Sequence, residues 1–236
     1  MATANVWDDP RVVAGMVRQL AWRDERLAAG ERHIGWKAGL AAPATMEACD
    51  ISGGVIGFLT DRVLRATGYA HPLAGTIKTA LEAEIAIHVG APVNAGADRD
   101  EVSAAIAGLG AAIEIADVDR PPPDLEQVVA GNVYNRVVIL GPVVHDRAGG
   151  SSDGLRAVVS CDGTVVAEVE DVTLPVGGDP VWSLQHVAAY LAAFDRRLDA
   201  GDVVISGSLI PLQFPSAGQT YAYELAGVGR LDASFV

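Results

Sequence analysis

Two glutamates, Glu82 and Glu84, sit two residues apart in the apolar stretch Leu81–Gly90 (LEAEIAIHVG), and they are the first residues in this chain with chemistry in their spacing. Read as a strand, the stretch places Glu82, Glu84, Ala86 and His88 on one face and Ala83, Ile85, Ile87 and Val89 on the other. The second face is apolar and requires a core. On the first, the two carboxylates have Cα atoms roughly 6.5–7 Å apart, at about 3.3 Å of rise per residue. Like charges at that distance repel unless water or a cation separates them. A solvated sheet face is the commoner outcome for such a pair, because Glu is mostly exposed. The chemical alternative is a hard-cation site, since Mg²⁺-type ions bind through one or two carboxylates together with substrate oxygens.

A third carboxylate, Glu114, lies in GAAIEIADVD between Ile113 and Ile115, and an isolated acid in an apolar strand is harder to assign to solvent. Asp117 and Asp119 follow it and are expected at an exposed strand end. Lys37 is the only lysine in the first 77 residues, set among apolar and glycine neighbours in GWKAGL. Such a lysine is usually exposed; buried beside a substrate carboxylate, it would be a cation of readily tuned pKa. His33, His71, His88, His145 and His186 never fall at metal-ligand spacing, and His88 reads either as a neighbour of the glutamates or as a structural imidazole. No GxGxxG turn is present, which sets aside a dinucleotide site, and a serine triad has no anchor here.

The elements that must position these residues can be read in order. Asp9-Pro10 opens a helix with Val13, Met16, Val17, Leu20 and Leu27 as its apolar stripe, ended by Gly30, with Arg18, Arg23, Asp24, Glu25 and Arg26 on a solvated face. His33–Leu40 forms a short strand, and Pro43–Ala48 a helical turn. A glycine-rich stretch and strand follow in ISGGVIGFLTDRVL, then a loop over Gly68–Gly75. Asp98 and Glu101 form a capping box for a helix running to Leu109. Leu125–Ala130 is a short helix, NRVVILGP a buried strand, and LRAVVSCDGTVVAEVED a hairpin turning at Asp162-Gly163. Asp179-Pro180 opens a second long helix, with Val181, Leu184, Val187, Leu191 and Phe194 inward and Gly201 at its end. The closing segment offers three or four strands.

With half of its 236 residues apolar, the chain can bury a sizeable core. Thirty acidic residues against 17 basic give a net charge of −13, which argues against a nucleic-acid partner and otherwise implies solubility. No apolar run reaches membrane-span length, and the first residues lack a signal-peptide layout. Cys49 and Cys161 match no metal spacing and read as buried structural thiols, so a cytoplasmic protein is expected.

Six blocks, in this order and at these distances, resemble one family: RLAAGERHIGWKAGL, PLAGTIKTALEAEIAIHV, AAIEIADVD, NRVVILGP, RRLDAGDVVISGSL and AGQTYAYELAGVGRLDASF. The family is the fumarylacetoacetate hydrolase superfamily, in its hydratase/decarboxylase branch of 2-oxopent-4-enoate hydratase-like and 4-oxalocrotonate decarboxylase-like enzymes. The resemblance implies an α+β fold, a mixed β-sandwich roll with outer helices. A small N-terminal helical part (1–75) would carry GWKAGL, and a β-roll catalytic domain (76–236) the rest. It further implies Mg²⁺ or Mn²⁺ held by Glu82, Glu84 and Glu114, and Lys37 as the catalytic lysine near the 2-oxo acid. Leu40, Asn132 and Tyr134 fall at substrate-contacting positions. A small 2-oxo acid substrate and a homo-oligomer are implied as well, with a pathway partner enzyme as a further possibility.

The same resemblance exposes departures. Hydratases of the branch carry an Asp where Val55 stands, and an Asp-Asn-x-Ser run where this chain reads Gly131-Asn132-Val133-Tyr134. The Thr that commonly follows the lysine block is Ala41. Tyr134 could replace a lost donor or simply pack. The expected activity is therefore a metal-dependent lyase on a 2-oxo acid, hydratase-like. The alternatives are decarboxylation of a 4-oxalocrotonate-type or β-keto acid on the same site, C–C hydrolysis of an acylpyruvate, or a non-catalytic partner subunit.

Overall fold

The structure, a computed structural model, describes residues 5–173 and 176–236. In chain order the elements are α1 (Pro10–Ala28), β1 (His33–Gly39), α2 (Pro43–Cys49), β2 (Val55–Thr60), β3 (Leu64–Arg65) and β4 (Tyr69–His71). Next come β5 (Thr79–Val89), α3 (Arg99–Ala105), β6 (Ile106–Asp117), α4 (Leu125–Ala130), β7 (Asn135–Leu140), β8 (Ala157–Cys161) and β9 (Thr164–Val169). The last are α5 (Pro180–Ala192), β10 (Val203–Ile205), β11 (Thr220–Leu225) and β12 (Gly229–Phe235). They build a seven-stranded sheet in the order β2-β1-β10-β5-β6-β7-β3 and a five-stranded sheet in the order β4-β12-β11-β8-β9. Both sheets are mixed: β1–β10, β3–β7 and β4–β12 pair in parallel, the other neighbours antiparallel. The expected α+β roll with outer helices is the observed fold.

Alternation along β5 and β6 decides the layering. Ala83, Ile85 and Ile87, with Leu109, Ala111, Ile113 and Ile115, enter the main core alongside Val159, Tyr223, Leu231 and Phe235 of the second sheet and Met16, Leu184 and Leu191 of the helices. The opposite face is lined by a small second cluster of Leu59, Ala86, Ala112, Val138, Val203 and Ile205. Leu59 belongs to β2 and Val138 to β7, near opposite ends of the sheet. β1 and β6 are three strands apart, about 14 Å on a flat sheet at ~4.8 Å per strand, yet the Lys37 side chain of β1 meets Glu114 of β6 at 2.7 Å. The sheet curls toward this face.

Several local expectations are corrected. In α1 the buried positions are Val12, Met16 and Leu20 with Gly15 and Gln19, while Val13 and Val17 are exposed. The reason is Gln19, whose buried amide donates to the carbonyls of Ile56 (3.1 Å) and Val129 (2.7 Å) and so claims an inward position. Arg23 is not on a solvated face; its guanidinium lies 5.2 Å from the Trp36 ring centroid with the side chain only 13% exposed. Arg26 likewise pairs with Glu31 at 2.8 Å. The capping box at Asp98 is present, but α3 stops at Ala105, because residues from Ile106 onward pair with β5 instead. The Gly68–Gly75 segment contains β4, which borders β12. Asp117 is buried, accepting from the backbone N–H groups of Ile77 (2.9 Å) and Lys78 (2.8 Å). α5 ends at Ala192, where Asp195 turns left-handed (φ 54°), well before Gly201. Cys49 is buried and Cys161 half-buried, both as free thiols. No helix among the described residues is long and apolar enough to cross a membrane.

Candidate active site

The β5–β6 register sets Glu82 directly opposite Glu114, with Glu84 opposite Ala112. Two-residue periodicity puts all three carboxylates on the inward-curling face, and an oxygen of each lies within 4.8 Å of the others. Glu84 and Glu114 are fully buried and Glu82 half-buried. Lys37 reaches them from β1. It shares a row with Ile205 and Ala86, hence a face with the glutamates. Its side chain is 2% exposed, and its ammonium sits 2.7 Å from Glu114 Oε1 and 3.0 Å from the Val133 carbonyl, donating to both. The structure brings Lys37 and the three glutamates, grouped in the sequence by resemblance alone, into one cluster. His88 lies farther along β5, paired with Gly108 and Val203, outside the cluster.

Glycines clear the channel for the lysine. Gly57 faces Lys37 across β1–β2, and a Cβ there would meet Asn132 Oδ1 at 2.7 Å and Lys37 Cγ at 3.0 Å. A Cβ on Gly39 would meet Val133 Cγ1 at 2.9 Å. The sequence block GWKAGL and the later Gly57 are thus the walls of a slot one lysine wide.

Neighbours that the sequence reading did not identify complete the site. Asn135 donates its amide to Glu114 Oε1 at 2.7 Å. The N–H of Gly207 donates to Glu84 Oε2 at 2.7 Å, from a residue whose φ of 91° favours glycine. The Tyr223 hydroxyl donates to the Glu84 carbonyl at 3.1 Å. Only Gly207 left a trace in the sequence, as the glycine that breaks the apolar run VVISGSL. Asn135 offered nothing beyond a polar residue at the head of a buried strand.

The remaining candidates are placed differently. Leu40 is half-buried at the turn leaving β1, with φ 55°. Asn132 is buried and committed to β2: its Oδ1 accepts from the Phe58 N–H (2.7 Å) and its Nδ2 donates to the Phe58 carbonyl (2.9 Å). The Tyr134 hydroxyl donates to the Arg120 carbonyl at 3.0 Å. Asn132, Val133 and Tyr134 all have positive φ (62°, 52° and 66°), a left-handed turn built without glycine. Each such residue costs about 1–2 kcal/mol, and the β-branched Val133 is the least suited to it.

Electrostatics follow from burial. Desolvation pushes Glu82 up to about 7, reinforced by Glu114 and opposed by Lys37. It raises Glu84 well above the carboxylate range, with Glu114 and Glu82 adding to the effect. For Lys37 desolvation works against the charge, but Glu114, Glu82 and Glu84 outweigh it and hold the ammonium above its ordinary value. Glu84 Oε1 is buried without a hydrogen-bond donor among the described residues, and Glu114 Oε2 has the Lys37 ammonium 2.5 Å away. A buried carboxylate oxygen left without a donor is costly unless a cation takes it up. An all-oxygen set of three carboxylates fits a hard divalent ion. Three carboxylates, one ammonium and one divalent cation then sum to zero charge, so these residues fit the metal.

The chain is 29% identical over 215 residues to 2-hydroxyhexa-2,4-dienoate hydratase of Comamonas testosteroni, spanning 89% of this chain and 81% of that protein. It is 27% identical over 210 residues to 4-oxalocrotonate decarboxylase of Pseudomonas putida, spanning 88% and 79%. The solved structure of 4-oxalocrotonate decarboxylase from Pseudomonas putida G7, complexed with magnesium and adipate, superposes with a TM-score of 0.84 at 25% identity, covering 92% of this chain and 83% of that one. The family model for the fumarylacetoacetate (FAA) hydrolase C-terminal region matches residues 60–236. The resemblance carried by the six sequence blocks is therefore borne out, and the chain belongs to the fumarylacetoacetate hydrolase family.

Proposed function

We propose that this protein is a divalent-metal-dependent lyase acting on a small 2-oxo acid, in the manner of a 2-oxopent-4-enoate hydratase. In this reading Glu82, Glu84 and Glu114 are the metal ligands and Lys37 the catalytic cation. The observation that carries it is the buried triad with an ammonium 2.7 Å from Glu114 and, among the described residues, a buried Glu84 oxygen lacking a donor. When bound, a Mg²⁺ or Mn²⁺ ion would supply Lewis acidity toward the charge that develops on the keto oxygen as C3 loses its proton or as CO₂ departs and leaves its bonding pair behind. Lys37 has three N–H donors, and its ammonium lies within 2.7 Å of both Glu114 oxygens and 3.0 Å from the Val133 carbonyl. A substrate carboxylate would draw on the donor now turned to Glu114 Oε2, and the zero net charge of the loaded site lets an anion enter. Leu40 supplies an apolar contact to the substrate carbon chain. Asn132 acts from behind Lys37, through β2.

The second reading, decarboxylation of a 4-oxalocrotonate-type or β-keto acid, is favoured by the proton-handling positions. Val55 is fully buried and apolar, and the Tyr134 hydroxyl is already donated to Arg120. Hydration needs a group that delivers a proton and orients water; loss of CO₂ needs mainly the charge-stabilising centre. The segment 1–75 contributes Lys37 and the segment 76–236 the carboxylates, so one catalytic unit draws on both. A homo-oligomer belongs to the same proposal, supported by Val165 and Val166, exposed on the edge strand β9. So does a cytoplasmic setting, with a pathway enzyme as the possible partner.

A proton NMR time course tests the reading. The protein with Mg²⁺ or Mn²⁺ is given 2-oxopent-4-enoate and, separately, a 4-oxalocrotonate-type diacid, with an EDTA control. Metal-dependent formation of a hydroxylated 2-oxo acid establishes the hydratase, and metal-dependent CO₂ loss from the diacid the decarboxylase. Turnover surviving in Glu82→Ala, or in EDTA, refutes the proposed centre. Silence on both substrates with metal bound returns weight to acylpyruvate cleavage or a non-catalytic subunit.

A further inference from the structure

The left-handed turn at 132–134 is the most strained backbone in the neighbourhood of the site, and nothing in the metal chemistry itself calls for it. Strain of this kind persists only where the surroundings over-determine it. Here they do. The Asn132 side chain is pinned on both sides to the Phe58 backbone. The N–H groups of Asn132, Val133 and Asn135 bond to the carbonyls of Val129 (3.0 Å), Val128 (2.9 Å) and Asn132 (3.1 Å). The Tyr134 carbonyl accepts from Asp117 (2.9 Å), and its hydroxyl is held by Arg120.

What the turn delivers is specific. Within three residues it aims the Val133 carbonyl at Lys37 Nζ (3.0 Å) and the Asn135 amide at Glu114 Oε1 (2.7 Å). Gly57 and Gly39 are part of the same fit: a Cβ on either would strike the turn. The contacts reach both partners of the Lys37–Glu114 pair, whose ammonium also lies 2.5 Å from Glu114 Oε2.

We propose that Asn132 and Asn135 are positioning residues. The turn they anchor fixes the Lys37 ammonium through the Val133 carbonyl and fixes the Glu114 carboxylate through the Asn135 amide, before substrate arrives. Asn132 thereby acts on the ammonium rather than on the substrate. This rests on Glu114 being a metal ligand.

The chain contains two lysines, Lys37 and Lys78, so ¹⁵N-lysine labelling reports on the ammonium without substrate. A buried, hydrogen-bonded ammonium exchanges its protons slowly, whereas Lys78 is exposed. The wild-type protein should show one slowly exchanging ¹⁵N–H₃ signal, absent in Lys37→Met. Asn132→Ala should shift or broaden it in substrate-free protein, and lower kcat more than it raises KM. Asn135→Ala should weaken Mn²⁺ binding by about 10–100-fold, the usual consequence of losing a group that orients a ligand. Val133→Gly, which tolerates positive φ and keeps the carbonyl, should preserve both signal and affinity. A wild-type ammonium signal and Mn²⁺ affinity within twofold in Asn135→Ala overturn the proposal, whether or not Asn132→Ala folds. If Asn132→Ala raises KM alone with the signal unchanged, it overturns the role given to that residue. Absence of Mn²⁺ binding in the wild type itself would instead refute the metal site.

Discussion

Glu82 makes the metal-free protein sensitive to pH in a direction opposite to that of most carboxylates. Burial lifts its pKa from 4.5 to about 7 in the folded chain, while in the unfolded chain it releases its proton near the ordinary value. Between those values the folded state binds more protons than the unfolded one, so stability falls as pH rises. The stability is fully present below about 4.5 and fully lost above about 7. At 1.36 kcal/mol per unit, the ceiling is about 3 kcal/mol, less whatever solvent screens at the half-buried carboxylate. The clean comparison is with Glu82→Gln, a neutral side chain of the same shape. Urea unfolding of both proteins in EDTA at pH 5, 6, 7 and 8 should give stabilities within about 1 kcal/mol of each other at pH 5. By pH 8 the wild type should be the less stable by up to that ceiling. A divalent ion replaces the proton, so Mg²⁺ should restore the wild type at pH 8 and leave Glu82→Gln behind. A difference that stays constant from pH 5 to pH 8, or one that favours the wild type as pH rises without metal, would refute the reasoning.

Lys37→Ala should retain Mn²⁺ binding and lose turnover or substrate affinity; wild-type kinetics in that variant would remove its assigned role. Glu114→Ala should abolish Mg²⁺ and Mn²⁺ binding in calorimetry, and unchanged affinity would count against the triad. Gly57→Ala drives a methyl against Asn132 Oδ1 and Lys37, and should lower stability by about 1–3 kcal/mol, read as a shift in the urea midpoint. Val133→Gly removes a side chain buried in the main core while relieving a left-handed β-branched residue; the two should leave a net loss of about 1–2 kcal/mol in the same urea experiment, and a loss above about 3 kcal/mol would show that no strain was relieved.

The parts of this site that follow from periodicity were legible in the sequence. Glu82 and Glu84 share a face because strands alternate, and Glu114 stood out as an acid between two isoleucines. Lys37 was marked by rarity and by its glycines. What escaped was everything fixed by a long-range partner. Asp117 looked like a strand-end acid, and its burial depends on the N–H groups of Ile77 and Lys78, forty and thirty-nine residues away. The face of α1 turned on Gln19, a polar residue whose inward placement makes sense only once the Ile56 and Val129 carbonyls are known. Asn132 and Tyr134 were found by resemblance at substrate positions, yet the structure shows their polar atoms satisfied by Phe58 and Arg120. No local pattern foretells a left-handed run through Asn-Val-Tyr; the contacts that hold it are all tertiary.

The strand order holds a consequence for how the molecule assembles. β10 is three residues long, comes late in the chain, and lies between β1 and β5 in the middle of the larger sheet. Until it inserts, the β1–β2 pair has no strand joining it to the β5–β6–β7–β3 block. Lys37 and Glu114, 77 residues apart, would stand as separate charges in water, and Glu84 would lack the Gly207 N–H, 123 residues distant. Contacts of such separation form slowly. During synthesis the chain would therefore carry two half-sheets and an open set of carboxylates until residues 203–207 leave the ribosome. A small strand thus acts as a keystone, and the site closes in the same event that completes the sheet.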